Sequence, residues 1–324
     1  MTLTALQGVS EDGFRHPTGS GAHEWWYFDA IDPASGVALV VIFFRGIPFS
    51  GARQRFPHAP ADDFPAVAFS LYGSRSTELY FVNLHRSVTI GGDRMSIAIG
   101  ENRAAYRDGV YEIELHDELL DGRSVSARFE FKVESARVSS PAPAARNGGA
   151  PHVWILAAPR CEVTGSISVD GTTRSFAGTG YHDHNLGERS LQAQFRHWRW
   201  GRAHFRDETF VYYEADGVSA LDQPVRDETL ARNIYMLRYA ETLRAGGYRI
   251  RQRRIVDNGP FYLRFLSEFT SPSGQTVTGF SEVLRPRALE WKWFWPLLDS
   301  RVRPHRSGDR VGRKITQWLI QRGF

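Results

Sequence analysis

The sequence predicts a mainly β protein of antiparallel strands, and three observations lead there. Short runs rich in β-branched and aromatic residues recur along the chain. Turn pairs containing glycine fall between them, which is the pattern of hairpins. Long helical periodicity is scarce. Many short strands joined by tight turns suggest sandwiches or up-and-down barrels. At 324 residues the chain exceeds what one hydrophobic core usually supports, so two domains are expected.

Val37 to Phe44 is a β-branched and aromatic run that ends at Gly46 and Pro48, as a buried strand bounded by turn residues should. Further strands are expected at Ser87 to Ile90, Tyr111 to Leu115, Ser124 to Val133 and Glu162 to Val169. Three more follow at Thr209 to Tyr213, Tyr248 to Val256 and Tyr262 to Phe269. The turn pairs are Gly91-Gly92, Asp121-Gly122, Asp170-Gly171 and Ser273-Gly274. Pro141 to Gly149 reads as an exposed loop. Two barrel-like halves meeting near residues 185 to 192 would accommodate the strand count. A short helix is expected only at the C-terminus. There Val311, Ile315, Trp318 and Leu319 fall at i, i+4, i+7 and i+8, with Arg313, Lys314 and Arg322 around them.

Composition excludes several classes. A hydrophobic fraction of 42% with 23% charged residues is that of a globular protein, not a disordered one. The net charge of +4 is small, and the chain has no zinc-finger spacing, RNP signature or basic stripe, so no nucleic-acid partner is expected. The single cysteine, Cys161, permits neither an intramolecular disulfide nor a cysteine zinc cluster. That fits a reducing cytoplasm. The first residues lack a signal-peptide pattern, and no segment approaches the roughly 20 apolar residues that span a bilayer. The expected location is cytoplasmic, with peripheral contact at the inner face of the membrane as an added expectation.

The segment Gly178 to Gly187 is the most unusual in the chain. Tyr181, His182, Asp183, His184 and Asn185 stand together where a core strand would place apolar residues. In an extended chain alternate side chains share a face. Tyr181, Asp183 and Asn185 therefore face one way, and His182 and His184 the other. Three readings stay open here: a metal site on the two histidines, which needs a further ligand; a polar turn bonded to backbone; and an acid–base site using Tyr181 and Asp183. His152 and Trp154 form a second pair at the same spacing. In His23 to Asp29, Glu24, Trp26 and Phe28 alternate against Trp25, Tyr27 and Asp29. A strand aromatic on both faces is buried on both sides or lines a cavity. Trp198 and Trp200, alternating with arginines, allow the same choice.

These motifs together, His23-Glu-Trp-Trp-Tyr-Phe28 and Gly180-Tyr-His-Asp-His-Asn185 followed by an Arg/Trp-rich strand, resemble the carotenoid 1,2-hydratase family, the hydroxyneurosporene synthases. That family is similar to a superfamily of paired lipocalin-like domains that also holds AttH-like proteins and fungal Diels–Alderases. The resemblance implies two lipocalin-like antiparallel β-barrel or sandwich domains, placed at 1–188 and 189–324, to which the periodicity adds the short C-terminal helix. It implies a site in which His152, Trp154, Tyr181 and Asp183 are catalytic. Trp26, Tyr27, Trp198, Trp200, His182 and Asn185 are expected to contact an apolar substrate, a carotenoid or related polyene. The implied activity is addition of water to a terminal C=C by acid-catalysed protonation. Asp183 would be the donor, Trp154 the shelter for the cation, and His152 or Tyr181 the group that orients water and takes up its proton. No cofactor is expected, and the chain has no phosphate-binding glycine loop or Rossmann fingerprint. A pericyclase or isomerase acting on a polyene is the first alternative, and a non-catalytic binding protein for an apolar ligand the second.

Trp291 to Leu298 is an apolar aromatic cluster followed by Arg301, Arg303 and Arg306. Aromatics bordered by basic residues suit a membrane interface that admits a lipid-dissolved substrate. Packing of the same cluster against a barrel is the competing expectation.

Overall fold

The computed structural model describes residues 3–284, excluding 49–52, 54–55, 57, 74–76, 120, 136, 140–151, 192–197, 216–217, 220–241 and 259–261. The expected C-terminal helix, the aromatic cluster at 291–298 and the loop at 141–149 lie outside the described residues. In chain order the strands are β1 (Leu3–Gln7), β2 (His23–Ile31), β3 (Ala38–Arg45), β4 (Ala66–Tyr72), β5 (Thr77–Leu84), β6 (Val88–Ile90) and β7 (Ser96–Ile99). Next come β8 (Asn102–Arg107), β9 (Val110–Glu118), β10 (Ser124–Val133), β11 (Arg137–Ser139), β12 (His152–Val169), β13 (Thr172–Gly187) and β14 (Trp198–His204). The last are β15 (Glu208–Ala215), β16 (Val218–Ser219), β17 (Thr242–Ala245), β18 (Tyr248–Asn258), β19 (Tyr262–Thr270) and β20 (Thr276–Leu284).

The strands form two curled half-barrel sheets. The first runs β5-β4-β3-β2-β13-β12-β10-β9-β8-β7-β6, with β1 added beside β12. The second runs β11-β15-β14-β20-β19-β18-β17, with β16 on β15. Neighbours are antiparallel except β1 on β12 and β11 on β15. The change of sheet falls between Gly187 and Trp198, but Arg137–Ser139 crosses over to the second sheet.

The turn pairs explain the connectivity. Asp170 and Gly171 both have positive φ, 47° and 83°, which suits the two-residue turn that follows the twist of a hairpin. They join β12 to β13, the long ribbon that runs through the middle of the first sheet. Glycine matters inside β13 as well. A Cβ at Gly180 would come within 2.5 Å of Val163 Cγ2 and 2.8 Å of the Asp29 carbonyl, so only glycine lets the ribbon sit this close to its neighbours.

Among the described residues, strand alternation builds three large cores and a small fourth one at Ile155, Ala157 and Leu186. Trp26 and Phe28 of β2 point inside the first curled sheet with Phe43, Phe69, Phe129 and Phe131. Trp25 and Tyr27 point the other way, into a core shared with Trp198, Trp200, Tyr213 and Phe280 of the second sheet. A third core, with Phe210, Tyr212 and Phe269, lies within the second sheet. Both faces of β2 and β3 are therefore covered, which is why every residue in them is buried. Two arginines tie the sheets together. Arg202 Nε of β14 donates to Asp29 Oδ1 of β2 at 2.9 Å, and Arg264 Nη1 of β19 donates to the Tyr72 hydroxyl of β4 at 2.8 Å.

Candidate active site

The interface between the sheets is not completely filled. A cleft enclosing about 460 Å³ of non-atom space, its solvent mouth included, is lined from the first sheet by Trp25, Tyr27, Ile42, Phe44, Trp154, Asp183 and Asn185. The second sheet contributes Trp198, Trp200, Tyr213, Arg264 and Glu282. The walls are mostly aromatic, and the polar groups are few and placed at defined points, as in sites that take small apolar molecules.

The acid at this site is built by the β12–β13 ribbon. Asp183 is 4% exposed and accepts three hydrogen bonds. Trp154 Nε1 donates to Oδ2 at 2.9 Å, the Tyr181 hydroxyl to Oδ2 at 2.8 Å, and Asn185 Nδ2 to Oδ1 at 2.8 Å. Trp154 lies across the ladder from Asn185 and reaches diagonally to Asp183, as neighbouring strands permit. Register shifts in β12 between Ile155 and Cys161 lie beside the pair; bulges of this kind often sit next to sites, where they re-aim side chains.

Burial pushes the Asp183 carboxyl up to about 7, against the opposing pull of the Trp154 and Tyr181 donors. Burial and the adjacent Asp183 raise the Tyr181 phenol well above its ordinary value, so it remains a donor. Its ring stacks on Trp200 with centroids 5.5 Å apart. His152 is fully buried, and its Nε2 stands 3.1 Å from Asn185 Oδ1. Because Asn185 spends its amide N–H on Asp183, its oxygen faces the imidazole, which must donate through Nε2. His152 thus sets the orientation of Asn185, and Asn185 in turn fixes Asp183.

His152, Trp154, Tyr181, Asp183 and Asn185 form one network, and Tyr27, Trp198 and Trp200 line the cleft beside it. Two residues expected to contact substrate do not reach it. Trp26 points into the core of the first sheet, where it stacks on His184 at 4.6 Å. His182 stacks on Phe28 at 3.9 Å, also on that side. The reason is strand alternation: Trp26 and Tyr27 are adjacent and must face opposite ways, as must His182 and Asp183. The residue that shares a face with Tyr27 is Trp25.

On that far side His182 and His184 meet carboxylates. His182 Nε2 is 2.9 Å from Asp12 Oδ2, and Tyr111 donates to the same oxygen at 2.9 Å. His184 lies between Asp12 Oδ1 at 3.1 Å and Glu24 Oε1 at 2.9 Å. Burial alone would lower the His184 imidazole, but hydrogen bonds with Asp12 and Glu24 outweigh it and raise the group to about 9. Burial would raise Asp12, but the attraction and hydrogen bonds of His182 and His184 hold it near 2. His184 is committed to ion pairing with the two carboxylates, and His182 to hydrogen bonds with Asp12 and the Tyr27 carbonyl. Among the described residues no group of three or more His, Cys, Asp or Glu is arranged to hold a metal ion.

Sequence reasoning missed Asp12, Ile42, Phe44, Tyr213, Arg264 and Glu282. Asp12 lies 170 positions from His182, and no local pattern announces such a pair. Arg264 and Glu282 alternate like many exposed strand residues. Trp25 alone had a usable signal, its shared face with Tyr27.

Comparison with known proteins agrees with this architecture. Hydroxyneurosporene dehydrogenase of Chlorobaculum tepidum is 27% identical over 356 positions, covering 94% of this chain and 91% of that protein. Acyclic carotenoid 1,2-hydratase of Cereibacter sphaeroides is 33% identical over 174 positions, covering 48% of this chain and 60% of that protein. A solved structure assigned as AttH, from Nitrosomonas europaea, matches with a TM-score of 0.55 and 15% identity over 87% of this chain and 100% of that one, a likeness of fold. Among the described residues no helix is long and apolar enough to cross a membrane. The family model described as carotenoid hydratase CrtC matches residues 41–312, most of the sequence, and the chain belongs to the carotenoid hydratase family.

Proposed function

We propose that the protein adds water to a terminal C=C of an acyclic carotenoid or related isoprenoid, with Asp183 as the proton donor. One observation carries the reading: a buried carboxyl, raised to about 7, sits on the wall of an aromatic cleft. A general acid works best with a pKa near the working pH. An unactivated alkene needs a strong donor and a shelter for the tertiary cation that follows.

Protonation at the less substituted carbon transfers the Asp183 proton and leaves a cation at the tertiary carbon. Indole and phenol faces around the cleft stabilise it, each by roughly 0.5 to 2 kcal/mol. Trp154 acts twice, through its ring and through the N–H that holds Asp183. Tyr181 is a donor to Asp183 and a poor base, and His152 acts through Asn185 as a positioning residue. Water then attacks the cation and loses a proton. The reaction as drawn moves only water and protons and calls on no cofactor.

The test is conversion of neurosporene or lycopene by purified protein, wild type beside Asp183→Asn. A product heavier by one water, with the variant slower by about 10² or more, is the expected result. A rearranged product of unchanged mass would instead favour the isomerase or pericyclase reading. Recovery of intact ligand from a tight complex would favour a binding protein.

A further inference from the structure

The mechanism above leaves one feature of the cleft unused. Arg264 and Glu282, on adjacent strands β19 and β20, are 1% and 7% exposed, and both line the cleft from the second sheet, whereas Asp183 lines it from the first. Arg264 Nε donates to Glu282 Oε2 at 2.6 Å, and Trp200 Nε1 lies 3.4 Å from Oε1. A buried ion pair is weak evidence for stability, because desolvating both charges offsets most of their attraction. Arg264 reaches Tyr72 of the first sheet through Nη1, a different nitrogen from the one that holds Glu282. A carboxylate facing an aromatic cleft is suited to another task. It accepts hydrogen bonds and donates none, so it matches an O–H and rejects a hydrocarbon.

Building on the hydratase reading, we propose that Glu282, fixed by Arg264 and Trp200, holds the attacking water and then the hydroxyl of the tertiary alcohol product. The steps balance. The Asp183 O–H breaks as the new C–H forms, and the water oxygen bonds to the tertiary cation. One O–H of the resulting oxonium then breaks, with its proton passing to the Glu282 carboxylate. Solvent at the cleft mouth returns that proton to Asp183. Even an Arg-paired carboxylate accepts a proton from an alkyl oxonium, which is a far stronger acid. The cleft thus has two polar poles, an acid on one sheet and an acceptor on the other, with the reacting carbons between them.

The experiment compares two probes with one hydrocarbon tail, a long-chain 2-methyl-2-alkanol and the matching 2-methyl-2-alkene. Binding is read from the fluorescence of the cleft tryptophans. Wild type is expected to favour the alcohol by about tenfold. Glu282→Leu combined with Arg264→Met removes both charges at once, and Glu282→Gln keeps size and an acceptor. The double variant should bind the alkene within about threefold of wild type and lose the alcohol preference, while Glu282→Gln should keep part of it. With the isoprenoid substrate in D2O, the double variant should also shift product from deuterated alcohol toward deuterated, isomerised alkene. Absence of a preference in wild type, or its persistence in the double variant, overturns the assignment. If wild type prefers the alcohol but hydrates no acyclic carotenoid, the hydratase reading fails and the hydroxyl site stands. If wild type hydrates and neither variant changes preference or product, the reverse holds.

Discussion

Replacing Asp183 with Asn is expected to stabilise the protein above neutral pH while abolishing its acid. Burial raises the carboxyl from 3.8 to about 7, so between these values the folded chain holds a proton that the unfolded chain has released. Its contribution to stability is complete below about 3.8 and is lost as pH rises through about 7. The loss is about 1.4 kcal/mol per pH unit over roughly three units, about 4 kcal/mol in all. Asn does not titrate. Its oxygen can take the Trp154 and Tyr181 donors, while its amide N–H meets Asn185, whose amide must turn to accept it. That adjustment costs about 1 kcal/mol at every pH. The assay is urea unfolding of both proteins from pH 4 to 8, followed by tryptophan fluorescence. The variant-minus-wild-type difference cancels other titrating groups. It should climb by about 1.4 kcal/mol per unit up to pH 7 and then level. A difference that does not change with pH would refute the buried, protonated acid and the mechanism built on it.

Further outcomes follow from the same geometry. Under the proposed mechanism, in which protonated Asp183 donates the proton, turnover by wild type should fall about tenfold per unit as pH rises above about 7. Tyr181→Phe removes a donor to the carboxylate and should move that alkaline limb upward by about one unit; an unmoved limb argues against Asp183 as its source. Stability from His184, raised to about 9, is complete below about 6.5 and is lost as pH rises through 9. His184→Gln should cost about 3 to 5 kcal/mol near neutrality by breaking a buried ion pair, with the deficit shrinking toward pH 9 in urea titrations extended to about pH 10. Gly180→Ala should cost about 1 to 3 kcal/mol in thermal or chemical unfolding, since its Cβ has no room between Val163 and Asp29.

Features that depend on near neighbours are readable from the order of amino acids alone. Hairpins at Gly91-Gly92, Asp121-Gly122, Asp170-Gly171 and Ser273-Gly274 were legible because turn chemistry is set by a few adjacent residues. The faces of Tyr181, Asp183 and Asn185 against His182 and His184 were legible because strand side chains alternate. The same rule excludes Trp26 as a partner of Tyr27 in the cleft and selects Trp25. The pairing of His152 and Trp154 with the second motif was visible only through family resemblance, since 29 positions separate Trp154 from Asp183. Tertiary structure decided the rest. It placed Asp12 and Glu24 against His184, and so made that histidine part of a structural ion pair. It brought Arg264 and Glu282 of the second sheet to the same cleft as Asp183 of the first. It also supplied the burial that raises Asp183. A carboxyl's proton affinity depends on the solvent and charge around it, and here those come from two sheets that meet only after the chain has folded.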